Sequence, residues 1–164
     1  MIEQGAISRV WDIIEKISVG MLTTRFDSGL RARPLEARPD RDGGVIWFVT
    51  DVRGGKDDEI EAAPEVCFVV IDHKDKAYLS VTGRAEVKRD PEKAAEIWKK
   101  TDDVWWPDGP RDPNVRVLRL IPDTAELWDG PSNSAVAAFE FAKAKITGKK
   151  PKLGENRKVT VEMK

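Results

Sequence analysis

The residues best equipped for chemistry lie between Arg31 and Lys56. In the run Arg31-Ala-Arg-Pro-Leu-Glu-Ala37, strand alternation puts Arg31 and Arg33 on one side and Ala32 and Pro34 on the other. A guanidinium offers a planar fork of donors that matches phosphate oxygens. The run Ile46-Trp-Phe-Val-Thr-Asp51 follows and ends on two polar side chains, Thr50 and Asp51. Arg53-Gly-Gly-Lys56 then makes a turn where glycines allow close backbone approach. Lys56 opens a predicted helix, whose first N–H groups can face an anion. Together these segments could cradle a phosphate and the edge of a flat ring. The same residues also read as a solvated strand edge and an ordinary charged turn, and spacing alone does not separate the two.

A second feature is Trp105-Trp-Pro-Asp-Gly-Pro110, a rigid loop carrying two of the six tryptophans in this 164-residue chain. Indoles supply both burial area and a ring face for stacking. Trp105 and Trp106 therefore either plug one end of the fold or form a lid or stacking wall for an aromatic ligand. Other chemistries are poorly supplied. No Gly-x-Gly-x-x-Gly follows a strand, and Lys56 is followed by Asp57 rather than the Ser or Thr of a Walker loop. His73 is the sole histidine and Cys67 the sole cysteine, which disfavours a histidine triad, a metal cluster and an internal disulfide. Of the acid pairs Asp57-Asp58 and Asp102-Asp103, the first reads as structural, because a helix N-terminus stabilises carboxylates.

The elements that must position these residues follow from periodicity. Ser8–Ile17 has helical spacing with Ser8 as cap, and Gly20 is expected to break it. Val19–Arg25 and Leu30–Arg38 read as hairpin arms around Phe26-Asp-Ser-Gly29, with a further turn at Pro39–Gly44 and a strand at Val45–Thr50. Lys56–Ala63 is a short helix stopped by Pro64. Val66–Asp72 is a continuous apolar run that suits a strand buried on both faces. In Tyr78–Lys88, Tyr78, Ser80 and Thr82 share one face, Leu79 and Val81 the other, and Gly83 marks a bulge or close approach. Asp90 and Pro91 start a helix as cap and first residue. Val115–Asp129 is a strand bent or interrupted near Pro122, Ser134–Ile146 an amphipathic helix, Gly148–Asn156 a basic linker and Val159–Met163 a last strand. Short strands joined by hairpins suggest a small closed or split barrel with helices at its ends.

The bulk numbers fit one domain over 1–164: 40% hydrophobic and 35% charged residues is an ordinary globular balance. A net charge of −1 provides no field to attract nucleic acid or an anionic membrane. No apolar run approaches the roughly 20 residues needed to span a bilayer. The acidic N-terminal stretch with Glu3 and Asp12 lacks an export signal, so a cytoplasmic protein is expected.

Several of these segments recur, in this order, in one known family. They are Arg33-Pro-Leu35, Trp47-Phe-Val-Thr-Asp51, Lys56 with Glu59-Ile60 and Pro64-Glu-Val66, Tyr78–Ala85, Asp90, Trp98, Trp105–Pro110, Asp112-Pro113, Trp128-Asp129 and Thr147-Gly148. The chain resembles the pyridoxamine-phosphate-oxidase-like flavin-binding split barrels, in their general stress protein branch. The resemblance implies an α+β, mainly β fold: a six-stranded antiparallel split β-barrel with flanking helices. It also implies a homodimer with FMN in a groove at the interface. Arg33 to Arg38 would run along the flavin, with backbone groups on the ring edge. Thr50 and Asp51 would lie near the phosphate and ribityl chain, and Lys56 would hold the phosphate. The oxidase itself has Ser-Arg-Lys where this chain has Gly54-Gly-Lys56; one phosphate arginine is lost, and either Arg53 replaces it or the affinity is weaker. The cofactor-binding set implied is Arg33, Pro34, Leu35, Glu36, Thr50, Asp51, Arg53, Lys56, Trp105 and Trp106. FMN is the expected cofactor, with FAD or a deazaflavin as alternatives.

The oxidase's basic and histidine substrate residues near its C-terminus have no match here, which argues against pyridoxamine phosphate as substrate. The function implied is a flavin-dependent oxidoreductase linked to the general stress response; no residue identifies its electron donor, for which a reduced nicotinamide and a deazaflavin are examples. The alternatives are a protein that binds or senses flavin without turnover, and a structural dimer that has lost its cofactor. No residue is singled out as catalytic, and no metal is expected.

Overall fold

The computed structural model describes residues 2–129, 142–150 and 157–163. Helix α1 (Ile2–Ile17) begins well before the expected cap at Ser8. Its apolar stripe extends back through Ile7 and Ala6, which pack on the core with Val10, Ile13 and Ile14. That continuous stripe carries the helix through Gly5 and Ser8. Gly20 does not end it: the chain leaves the helix at Ser18, with φ 55°, and Gly20 lies inside strand β1 (Val19–Phe26). Of the expected helix Ser134–Ile146, residues 142–146 are helical and the rest lie outside the described residues, as does most of the basic linker.

The sheet corrects the expected architecture. It has eight strands rather than six: β1, β2 (Gly29–Glu36), β3 (Arg38–Asp40), β4 (Val45–Asp51), β5 (Glu65–Asp72), β6 (Ala77–Lys88), β7 (Val115–Asp129) and β8 (Arg157–Glu162). The order is β2-β1-β5-β6-β7-β4-β3, with β8 also paired to β7. Among the described residues the sheet is open, neither a closed nor a split barrel: β2 pairs only with β1, β3 only with β4, and no ladder joins these two edges. The expected arm Leu30–Arg38 is broken at Ala37, whose N–H turns to the carbonyl of Ser18 at 2.7 Å. Both edge strands carry a proline, Pro34 and Pro39, which has no N–H to donate to a neighbouring strand.

Helix α1 covers the main core, formed by Leu22, Phe48, Phe68, Val81 and Leu118 among others. A second cluster on the other face of β4 and β7 joins Val49, Val115 and Val117 to Ala94 of α3 (Pro91–Ile97) and to Trp106. Asp90 caps α3 by accepting from the Lys93 N–H, with Pro91 in the first turn. Strand β5 is not buried on both faces: Val66, Phe68 and Val70 are buried, whereas Ile71 is exposed and Cys67 and Val69 are half-buried. Apolar residues on its outer face disguised an ordinary alternation.

The long β6–β7 ladder shifts register between Thr82 and Gly83, opposite Pro122, where Gly83 marked a bulge or close approach; β7 itself runs through Pro122 without interruption. A Cβ on Gly83 would run into the backbone carbonyl of Ile121. Gly83→Ala is therefore expected to cost about 1–3 kcal/mol in urea unfolding. A loss below about 0.5 kcal/mol would show that the ladder yields without strain.

Candidate functional site

A short helix, α2 (Lys56–Ala62), packs against β6 and β1. Its inward stripe is Lys56, Glu59 and Ile60, one turn apart on the same face. The stripe buries two charged groups with different fates. Glu59 takes Arg33 at 2.8 Å, Arg31 at 3.1 Å and the Thr24 hydroxyl at 2.6 Å. Lys56 is 6% exposed, and its amine has no hydrogen bond or ion pair among the described residues. Burial lowers its pKa, and the neighbouring Arg33 guanidinium lowers it further. Gly54 makes room beside the amine: a Cβ there would sit 2.6 Å from Lys56 Nζ.

Asp51, at the end of β4, ties the turn before α2 to the tryptophan loop. Its Oδ1 accepts from the Arg53 backbone N–H and from Arg53 Nε, both at 2.8 Å. Its Oδ2 accepts from Arg53 Nη2 at 2.5 Å and from Trp106 Nε1 at 2.9 Å. The Arg53 side-chain bonds foremost, with that backbone N–H and the indole, hold the carboxyl well below the usual carboxylate range against the effect of burial. Trp106 is buried, 5.9 Å from the Trp98 ring, whereas Trp105 is 73% exposed. One indole thus packs into the second core cluster and the other stands at the rim.

A second ionic link reaches across the chain. Arg38 Nη2 donates to both carboxylate oxygens of Asp102, at 2.7 and 2.9 Å, and both side chains are under a tenth exposed. Asp102 accepts from the Lys99 N–H, and its carbonyl accepts from the N–H groups of Trp105 and Trp106. The Lys99 amine pairs with Glu36. The loop with both tryptophans is thereby fastened to the corner between β2 and β3.

These pieces enclose a groove of about 420 Å³, within the size range of small-molecule sites. Of the residues expected at a ligand, Pro34, Leu35, Glu36, Thr50, Asp51, Lys56, Trp105 and Trp106 line it. Arg33 and Arg53 do not: one is turned onto Glu59, the other onto Asp51. Val19, Arg38, Val49 and Asp102 complete the lining. The space beside an unpartnered buried amine suits a phosphate, and the indole wall suits a flat ring.

The sequence matches the family described as "Pyridoxamine 5'-phosphate oxidase like" over residues 5–152. The chain belongs to the pyridoxamine 5'-phosphate oxidase-like family. Its relatives place it in the general stress protein 26 branch. It is 26% identical to General stress protein 26 of Bacillus subtilis (strain 168) over 140 residues, 84% of this chain and 98% of that protein. A candidate general stress protein 26 from Jannaschia sp. CCS1 is 29% identical, with a TM-score of 0.74 over 96% of this chain and 98% of that one. The general stress FMN/FAD binding protein from the phytopathogen Xanthomonas citri shares the fold, with a TM-score of 0.68 at 24% identity over 77% of this chain and 89% of that one.

In this family member, Val19, Val49 and Asp102 of the groove lining, and Glu59 behind it, are residues that sequence reasoning did not assign to the site. Glu59 follows Lys56 by one helical turn, so its shared face was readable in principle. Asp102 carried no such signal, being 64 positions from its partner Arg38. Asp102→Ala would strand the buried Arg38 guanidinium and is expected to cost about 3–5 kcal/mol of stability in chemical denaturation. A loss under about 1 kcal/mol would mean that the pair does not anchor the loop.

Proposed function

We propose that the groove is a flavin site and that the protein is an FMN-dependent oxidoreductase of the general stress response. The observation that carries this reading is Lys56, a buried amine with no partner among the described residues, opening into a groove walled by Trp105 and Trp106. Lys56 holds the phosphate. Thr50 and Asp51 face the chain between phosphate and ring, the Pro34–Glu36 backbone runs along the ring edge, and Trp106, fixed by Asp51, provides the wall. Arg33 and Arg53 act behind this layer, through Glu59 and Asp51. The Xanthomonas citri protein, described as binding FMN or FAD, supports a flavin over other flat ligands. A bound flavin would supply the electron chemistry, while the chain binds, orients and shields it.

Flavin binding or sensing without turnover is the second reading. It is favoured by the pairing of Asp51 with Arg53 and of Asp102 with Arg38, which leaves these acids no free proton-transfer role. Anaerobic mixing with a reduced nicotinamide separates the two, since only the first reading expects bleaching of the bound flavin.

Titration with FMN, followed by tryptophan fluorescence quenching, tests the site. Lys56→Met is expected to weaken binding by about 1.5–3 kcal/mol, the scale of a charged hydrogen bond to phosphate. The amine binds phosphate fully while protonated, so wild-type affinity is retained below its lowered pKa and falls as pH rises through it. That alkaline fall begins below the 10.5 of an ordinary lysine and is absent from Lys56→Met. Equal FMN affinity in the two proteins would remove Lys56 from the site.

A homodimer closing over the groove is part of the same reading. Met21, Ile71 and Tyr78 are exposed on the outer face of β1, β5 and β6, and Val19 belongs to both that face and the groove. A second copy on this face would cover the apolar side chains and the groove margin together. Sedimentation should give a dimer that Ile71→Glu converts to monomer. A monomeric wild type at micromolar concentration would reject the dimer and leave the groove assignment standing.

A further inference from the structure

The carboxylates around Lys56 are already taken. Asp51 is paired with Arg53, Asp57 with Arg116 at 3.0 Å, and Glu59, one turn along α2, with Arg33 and Arg31 at 2.8 and 3.1 Å. Among the described residues none of them forms an ion pair with the Lys56 amine. They still attract its protonated form, but burial foremost, and then the Arg33 guanidinium, outweigh them and lower the pKa. An amine desolvated beside another cation is an activated nucleophile, because more of it is neutral at neutral pH than of an ordinary lysine. This one lines the groove.

A second observation concerns Arg33. Its Nη2 donates to Glu59, while its Nη1 is buried without an acceptor. Arg31, Arg33 and Lys56 thus share one carboxylate, Glu59, and a buried N–H beside the amine lacks an anion.

We propose that Lys56 is a carbon dioxide acceptor, its amine condensing with CO2 to a carbamate that takes the orphaned Arg33 Nη1 as donor. The ammonium first gives a proton to solvent. The nitrogen lone pair then attacks the carbon of CO2 and forms a C–N bond. One C=O electron pair moves onto oxygen, and the nitrogen gives a second proton to solvent. Nothing is oxidised or reduced. Three cations sharing one carboxylate become two cations sharing two anions. An aldehyde or ketone would instead give an imine, neutral or cationic, and leave Arg33 Nη1 without an acceptor. CO2 is also small and uncharged, so it reaches a buried amine without the cost of desolvating a charge. A carbamate repels phosphate, so CO2 and FMN exclude one another at Lys56. That exclusion rests on the flavin reading of the groove; the carbamate itself does not.

The test treats the wild-type chain, in buffer equilibrated with isotopically labelled CO2, with a trialkyloxonium salt that esterifies carbamates. Peptide mass mapping then locates the labelled carbon. Lys56 is expected to carry it at about tenfold or more the level of the exposed Lys149 and Lys150. No label on Lys56, or a level equal to theirs, overturns the proposal. Arg33→Gln is expected to lower the Lys56 label about tenfold, and an unchanged label overturns the role of Arg33. Should that variant fail to melt cooperatively, a wild-type crystal pressurised with CO2 decides the same point. A carbamate oxygen on Arg33 Nη1 supports the role, and one turned away from it overturns it. The labelling is repeated with saturating FMN. Loss of the label supports exclusion at a shared amine. A label that persists overturns the exclusion and removes Lys56 from the phosphate, with the carbamate standing. If no flavin binds, the flavin reading fails and the label on Lys56 alone decides the carbamate.

Discussion

The carboxylate of Asp51 is the joint on which the groove depends. It stands where the core strand β4 stops, and its two oxygens face two directions. One holds the turn that delivers Lys56, through the Arg53 N–H and guanidinium. The other holds the indole N–H of Trp106, 55 positions along the chain. The ionised group thus ties both the cationic end and the aromatic wall to the end of β4, in addition to the packing of Trp106 on Val49. The low pKa of Asp51 follows from this, because its bonds are made to the charged form.

Around that joint, charge is paired by rank. Arg53 serves Asp51, Arg38 serves Asp102, Lys99 serves Glu36, and Arg31 and Arg33 serve Glu59. The buried Arg38–Asp102 pair contributes more to geometry than to net stability, since desolvation offsets much of the attraction, and the pairs with exposed partners contribute little. Among the described residues lining the groove, what they leave over is one amine, Lys56, buried beside the gap at Gly54. A site arranged in this way has little acid–base equipment of its own. It fits a protein that binds a reactive group and leaves the electron chemistry to it.

Local features were legible in the sequence and long-range ones were not. Asp90-Pro91 announced the start of α3, and Gly83 announced the bulge or close approach, because each acts through its own backbone. Most of the groove was also legible, since Pro34–Glu36, Thr50, Asp51 and Lys56 come from adjacent elements. The limits lay elsewhere. The barrel expectation failed because closure depends on whether two edges pair, and the Ala37 break with Pro34 and Pro39 keeps them apart. The arginines kept the side that alternation assigned them but not the partner, because Glu59 reaches them from α2. Asp102 meets Arg38 only through the path of the folded chain.

The most direct measurement is a crystal structure of the protein grown with stoichiometric FMN. The phosphate is expected within hydrogen-bond reach of Lys56 Nζ, with the flavin ring along Pro34–Glu36 beside Trp106 and Glu59 still bound to Arg33. A phosphate held by Arg31 and Arg33, with Glu59 displaced, or a ring bound away from the Trp106 wall, would contradict the assignment of this groove.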